Sequence, residues 1–152
     1  KLFTVEKIGR EKIYRVSLPI ETDKMLGLMA SPKRGEVFVK RSALSRISGL
    51  IETSFQALSH YSDLASMQNE YAIEKARWDD SIETFDRAYD DEYVKIELWK
   101  YDPQALTQGN STIVDPISLY LSLKHERKAI DDIRVQDALE HLYNRIKEVC
   151  SD

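Results

Sequence analysis

The sequence predicts an α+β, helix-dominated fold: a small antiparallel sheet with four main helices. Three observations predict it. Apolar and polar residues alternate with the period of a strand at Leu2-Phe3-Thr4-Val5, at Ile13 to Leu18 and at Glu92 to Trp99. From Ser42 to Tyr89 apolar residues recur every three or four positions, with no Pro and only Gly49. Gly and Pro are scarce, 5 and 4 in 152 residues, which argues against a turn-rich sandwich or barrel.

Residues 2–18 read as a β-hairpin with strands at 2–6 and 12–18, and Gly9 is free to take a positive φ at the turn. Pro19 ends the second strand. Residues 20–29 form a short helix with Met25, Leu26 and Met29 on one side, weakened by Gly27. Ser31-Pro32-Lys33-Arg34-Gly35 is a turn, and 36–40 is a third strand. Leu44, Ile47, Ile51, Phe55, Leu58, Tyr61 and Ala65 make one helical stripe, and Met67, Tyr71, Trp78, Ile82, Phe85 and Tyr89 make a second in another phase. They predict helices over 42–63 and 67–89, the first capped by Ser42. Residues 92–99 are the last strand. Asp102-Pro103 opens a short helix closed by Gly109. Asp115-Pro116 opens a helix over 116–127, and Asp131 or Asp132 caps a final helix over 133–149 carrying Val135, Leu139, Leu142, Ile146 and Val149.

A chain of this length buries roughly two thirds of its unfolded surface and needs no staples. A single cysteine, Cys150, excludes an intrachain disulfide and suits the reducing cytoplasm. No apolar run reaches the ~18 residues of a membrane span. The chain opens without Met and directly in strand-like pattern, so a fragment of a longer protein is expected. Residues 1–50 carry 11 Lys and Arg against 5 Asp and Glu, a net of +6, and residues 51–152 carry 11 against 21, a net of −10. The expected organisation is a basic β-rich part, 1–40, and an acidic helical part, 41–152, in one compact domain.

Residues 2–16, with the Gly9-Arg10 tip between two strands, resemble the wing of a winged-helix DNA-binding regulator. The resemblance implies DNA binding by the parent protein, with Lys7, Arg10 and Lys12 touching phosphates, contacts that position without reading bases. Lys33, Arg34, Lys40, Arg41 and Arg46 form a second basic stretch suited to phosphate oxygens.

Acidic residues cluster at Asp79, Asp80, Glu83 and Asp86 and at Asp90, Asp91 and Glu92. On a helix Asp79 and Glu83 would share a face and could share a hard cation, and a metal-dependent phosphodiesterase or nucleotidyl transferase would use the Asp79–Glu97 carboxylates. Lys95 and Glu97 lack the Glu-x-Lys spacing of such sites, and a solvated face or a partner surface is the expected role of these acids. His60, His125 and His141 lie far apart, and Asp137 and His141 are spaced for a surface ion pair. No Gly-rich phosphate loop and no Gly-x-Ser-x-Gly elbow occurs. Tyr89, Tyr93, Trp99 and Tyr101, with Trp78, suit core packing or an interface better than base stacking. No catalytic residue, metal ligand or cofactor is therefore expected. Phe55, Leu58, Tyr61, Trp78 and Phe85 are the expected interface of a homodimer or protein partner. The expected function is a non-enzymatic regulatory or assembly module of a nucleic-acid-associated protein. The alternatives are the metal enzyme and a toxin–antitoxin or defence-system partner.

Overall fold

A computed structural model describes residues 3–8, 11–16, 21–65, 69–107 and 111–151, the hairpin by its backbone alone. The chain divides into two compact units, Lys1–Ala30 and Ser31–Asp152.

In the first unit β1 (Phe3–Ile8) pairs antiparallel with β2 (Glu11–Val16), in the register Phe3 to Val16 and Lys7 to Lys12. Gly9 and Arg10, the expected turn, lie outside the described residues. α1 (Thr22–Leu28) follows, with Leu26 buried.

The second unit is built on a four-stranded sheet in the order β3 (Lys33–Lys40), β6 (Tyr93–Trp99), β5 (Glu70–Glu74), β4 (Ile51–Glu52). β6 runs antiparallel to β3 and parallel to β5, and β4 runs antiparallel to β5. The expected fold class is corrected on two counts. The sheet is mixed, not antiparallel, because β5 joins it beside β6. The two long helices over 42–63 and 67–89 do not form. In their place stand a 3-10 turn at Arg41–Arg46, β4, the short α2 (Ser54–Ser59), β5 and a second 3-10 turn at Lys75–Arg77. Gly49 sits at φ +81° and Ser54 at φ +55°, and neither value continues a right-handed helix. The apolar stripe is real, but Ile51, Phe55 and Leu58 bury it from a strand and a single helical turn. Long-range pairing of Ala72 with Ile51 and Glu97 overrides the local period.

Ser31 to Gly35 is also corrected. Lys33 already pairs with Trp99, and a bulge between Lys33 and Gly35 absorbs the irregularity. Asp102 to Thr107 is a pair of turns, not a helix; Asp102 Oδ1 accepts from the Gln104 N–H at 2.9 Å.

Period-two alternation gives the sheet two chemically different faces. Val37 and Val39, Val94, Ile96 and Leu98, and Tyr71 and Ile73 share one face. There Ala43, Leu44, Ile47, Leu50, Trp78 and Ile82 cover them as a hydrophobic core. The opposite face is a set of polar rungs. Phe38, Lys95 and Glu70 are in register across three strands, as are Glu36, Glu97 and Ala72, while Lys33 faces Trp99.

α3 (Pro116–Leu123), α4 (Arg127–Asp131) and α5 (Ile133–Ser151) complete the unit, so the expected helix 116–127 is two shorter ones. Asp115 caps α3 as the sequence implies, its Oδ1 accepting from the Ser118 N–H at 2.9 Å. Asp132 Oδ1 accepts from the Arg134 N–H at the start of α5. Val135, Ala138, Leu139, Leu142 and Ile146 are the buried stripe of α5, which packs on α3 and α4; Val149 is exposed. Both sheet margins carry a clip. Phe85 exchanges two backbone bonds with Phe38 on β3, and Glu52 on β4 bonds to Thr112 and Val114. No helix among the described residues is long and apolar enough to cross a membrane.

Candidate functional site

The polar face of the sheet concentrates charge. Glu70 is 3% exposed and Glu97 1%, and burial of a carboxylate demands partners. The Lys95 ammonium lies 2.5 Å from Glu70 Oε1 and 3.9 Å from Glu97 Oε1, and donates to Ser54 Oγ at 3.1 Å. Lys33 lies 2.6 Å from Glu126, 2.7 Å from Glu36 and 3.6 Å from Glu97. The Trp99 indole N–H donates to Glu97 Oε2 at 2.9 Å. Four glutamates and two lysines thus form one cluster.

Glu70 has a second task. Its Oε2 accepts from the N–H groups of Phe55 and Gln56, at 2.9 and 3.4 Å, while its own N–H donates to Gln56 Oε1 at 2.9 Å. This is a reciprocal cap for the first turn of α2, delivered from a neighbouring strand in place of an N-cap side chain. It accounts for a buried Thr53 whose hydroxyl makes no cap bond.

The electrostatics follow from packing. Burial pushes the Glu97 carboxyl above the ordinary glutamate range, against the pull of Lys33, Lys95 and Trp99. Burial also disfavours the Lys33 charge, but Glu97, Glu126 and Glu36 together outweigh it and hold its pKa above the usual lysine range. Glu36 is held below the usual carboxylate range because the Lys33 bond overcomes its partial burial.

Beside the cluster opens a cavity of about 610 Å³. Phe38, Phe55, Tyr89 and Tyr93 supply its rings, and Glu36, Glu70, Glu126, Asp90 and Asp91 its acids. Its cations are Lys95 and Arg41. Arg41 is a clasp: its backbone N–H and guanidinium donate to the Glu92 and Asp91 carbonyls at 2.7 and 3.0 Å. The Asn69 carboxamide oxygen meets its two Nη atoms at 2.7 and 2.8 Å. Tyr89, Tyr93 and Phe85 form an aromatic trio with centroids 5.0 to 6.3 Å apart.

The residues expected to contact nucleic acid fall in both units. Lys7 and Lys12 oppose each other across the hairpin backbone, and Arg10 lies outside the described residues. Lys33 is a counter-ion of the cluster and not a free surface cation, because three carboxylates surround it. Arg34 is exposed and donates to the Ser31 and Lys33 carbonyls. Lys40 lies 5.9 Å over Phe85, Arg41 is the clasp, and Arg46 is exposed.

The expected interface set is likewise divided. Leu58 is fully buried and Phe55 nearly so, which makes them core residues. Tyr61 donates to the Val114 carbonyl at 3.1 Å under Arg145, Trp78 packs on the sheet core, and Phe85 clips β3.

The Asp79, Glu83 and Glu97 metal arrangement is also corrected. Residues 79–83 are not helical, Asp79 is exposed and receives the Ser81 N–H, and Glu97 points from the polar face of the sheet. Among the described residues no three His, Cys, Asp or Glu side chains are placed to share a metal ion. Sequence reasoning missed Glu70 and the pairing role of Lys95. The only local signal was the Lys95, Glu97, Trp99 alternation.

The chain matches no protein-family model, no curated protein and no solved structure.

Proposed function

We propose that this chain is a non-enzymatic binding and assembly module, the regulatory part of a cytoplasmic nucleic-acid-associated protein. The observation that supports this reading is the mutual pairing of Lys33, Lys95, Glu36, Glu70, Glu97 and Glu126. These groups hold β3, β5, β6, α2 and the α3–α4 turn together. The Ser54 hydroxyl beside Lys95 is 1% exposed and already accepts a hydrogen bond from it, which leaves it no open approach for a substrate. The polar centre positions the fold and leaves the surface to do the binding.

Association with nucleic acid rests on the net +6 of residues 1–50. Self-association remains the assembly mode proposed for the module, with Tyr61, Trp78 and Phe85 as its half-exposed members. The test combines light scattering with a titration of short duplex DNA at 50 and 200 mM salt. A dimer, or DNA affinity that falls steeply with salt, is expected. A monomer without DNA affinity at 50 mM salt overturns the reading. The competing metal-dependent phosphodiesterase would gain melting temperature in millimolar Mg²⁺ or Mn²⁺, and no gain is expected.

A further inference from the structure

Building on the binding-module reading, we propose that the cavity beside β6 receives an arginine-bearing basic segment of a protein partner. The charge of its lining is one-sided, five carboxylates against two cations. Both cations are committed inside the fold, Lys95 to Glu70 and Ser54, and Arg41 to Asn69 and the Asp91 carbonyl. Glu36 and Glu126 share Lys33, but the Asp91 carboxylate, on the cavity wall, has no partner among the described residues. Unbalanced negative charge in a concave, partly desolvated site focuses attraction on an incoming cation.

The rings narrow the choice of cation. Tyr89, 57% exposed, and Tyr93 stand 5.3 Å apart at a 59° tilt beside Asp90 and Asp91. Aromatic faces attract guanidinium more often than ammonium. The Arg87 guanidinium already lies 5.0 Å over the Tyr89 ring. A planar guanidinium seated against Tyr93 and bonded to Asp91 would combine stacking with a charge-assisted fork. The cavity is far larger than one guanidinium, so flanking residues of a peptide fit as well.

The test uses fluorescence anisotropy at 150 mM salt with a labelled hexapeptide of alternating arginine and glycine, its citrulline analogue and free arginine amide. Wild-type chain is compared with Asp91→Asn and Tyr89→Ala, both at exposed positions, each variant checked for an unchanged circular dichroism spectrum. The arginine peptide should bind, the citrulline peptide should bind at least tenfold more weakly, and each variant should lose at least fivefold. No binding, or equal binding by wild type and both variants, overturns the proposal. So does arginine amide binding as tightly as the peptide, which would assign the cavity to a small cation. If the peptide fails while DNA affinity or dimerisation persists, only the cavity assignment falls; loss of all three removes the module reading itself.

Discussion

Glu70 and Lys95 face each other across the parallel pair β5–β6, with Oε1 and Nζ 2.5 Å apart. The same carboxylate caps α2 through Oε2, so one side chain joins a strand pair to a helix start.

Removing both partners should therefore cost less than the two single removals added together. Glu70→Gln leaves a half-buried ammonium facing an amide, a loss of about 3 kcal/mol. Lys95→Met strands the buried carboxylate at a similar cost. The double variant should fall short of the sum by about 1–3 kcal/mol. Urea denaturation of the four proteins measures this coupling, and strict additivity would show the pair to be idle.

Glu97→Gln should behave differently from Glu70→Gln. The folded state raises the Glu97 carboxyl pKa, so folding favours its proton. Its contribution is present below the unfolded value and lost as pH rises through the folded one, which makes the ionised form a cost near neutrality. The amide retains an oxygen for the Trp99 N–H. The variant should lie within about 1 kcal/mol of wild type at pH 7, read from the same denaturation curves. A loss as large as that of Glu70→Gln would contradict the argument.

Lys33 sets an alkaline limit. Its folded pKa is raised, so its contribution is complete below the ordinary lysine value of ~10.4 and is lost as pH rises through the folded value. Lys33→Met should cost about 2–3 kcal/mol at pH 7 by leaving Glu126 and Glu36 without their cation and Glu97 with Lys95 alone. The gap between variant and wild type should narrow as pH climbs above ~10.4. Chemical denaturation between pH 7 and 12 follows it, and a constant gap would remove the charge argument.

Ser54 combines strain with a bond, since it sits at φ +55° and accepts from Lys95. Ser54→Ala keeps the strain and loses the bond. Ser54→Gly also loses the bond but releases about 1–2 kcal/mol of left-handed strain. Glycine should thus be the more stable replacement by about 1 kcal/mol, after allowance for its chain entropy, as thermal melting would show. Alanine matching or exceeding glycine would refute it.

Much of the fold was legible where the signal is local. The alternation at 92–99 becomes β6, the Asp115-Pro116 pair starts α3, and the three-four spacing from Val135 to Ile146 becomes the buried face of α5. Residues 42–89 misled because their spacing suits a helix, while their neighbours in space are strands. Ala72 is buried between Ile51 and Glu97, contacts 21 and 25 residues away in sequence. The site was hidden for the same reason. Lys95 acquires its meaning from Glu70 and Ser54, and Lys33 from Glu126, through pairings with no short-range trace. Net charge marked residues 1–50 as basic without showing that Lys33 is spent inside the fold.

The clips at Phe85 and at Thr112–Val114 carry a consequence for how molecules meet. An uncovered outer strand offers its row of amides and carbonyls to any extended peptide, and repetition of that event builds fibres. Here a loop segment already occupies part of β3 and another lies along β4. At those two points an extended peptide finds the backbone of the four-stranded sheet already taken and cannot lengthen it.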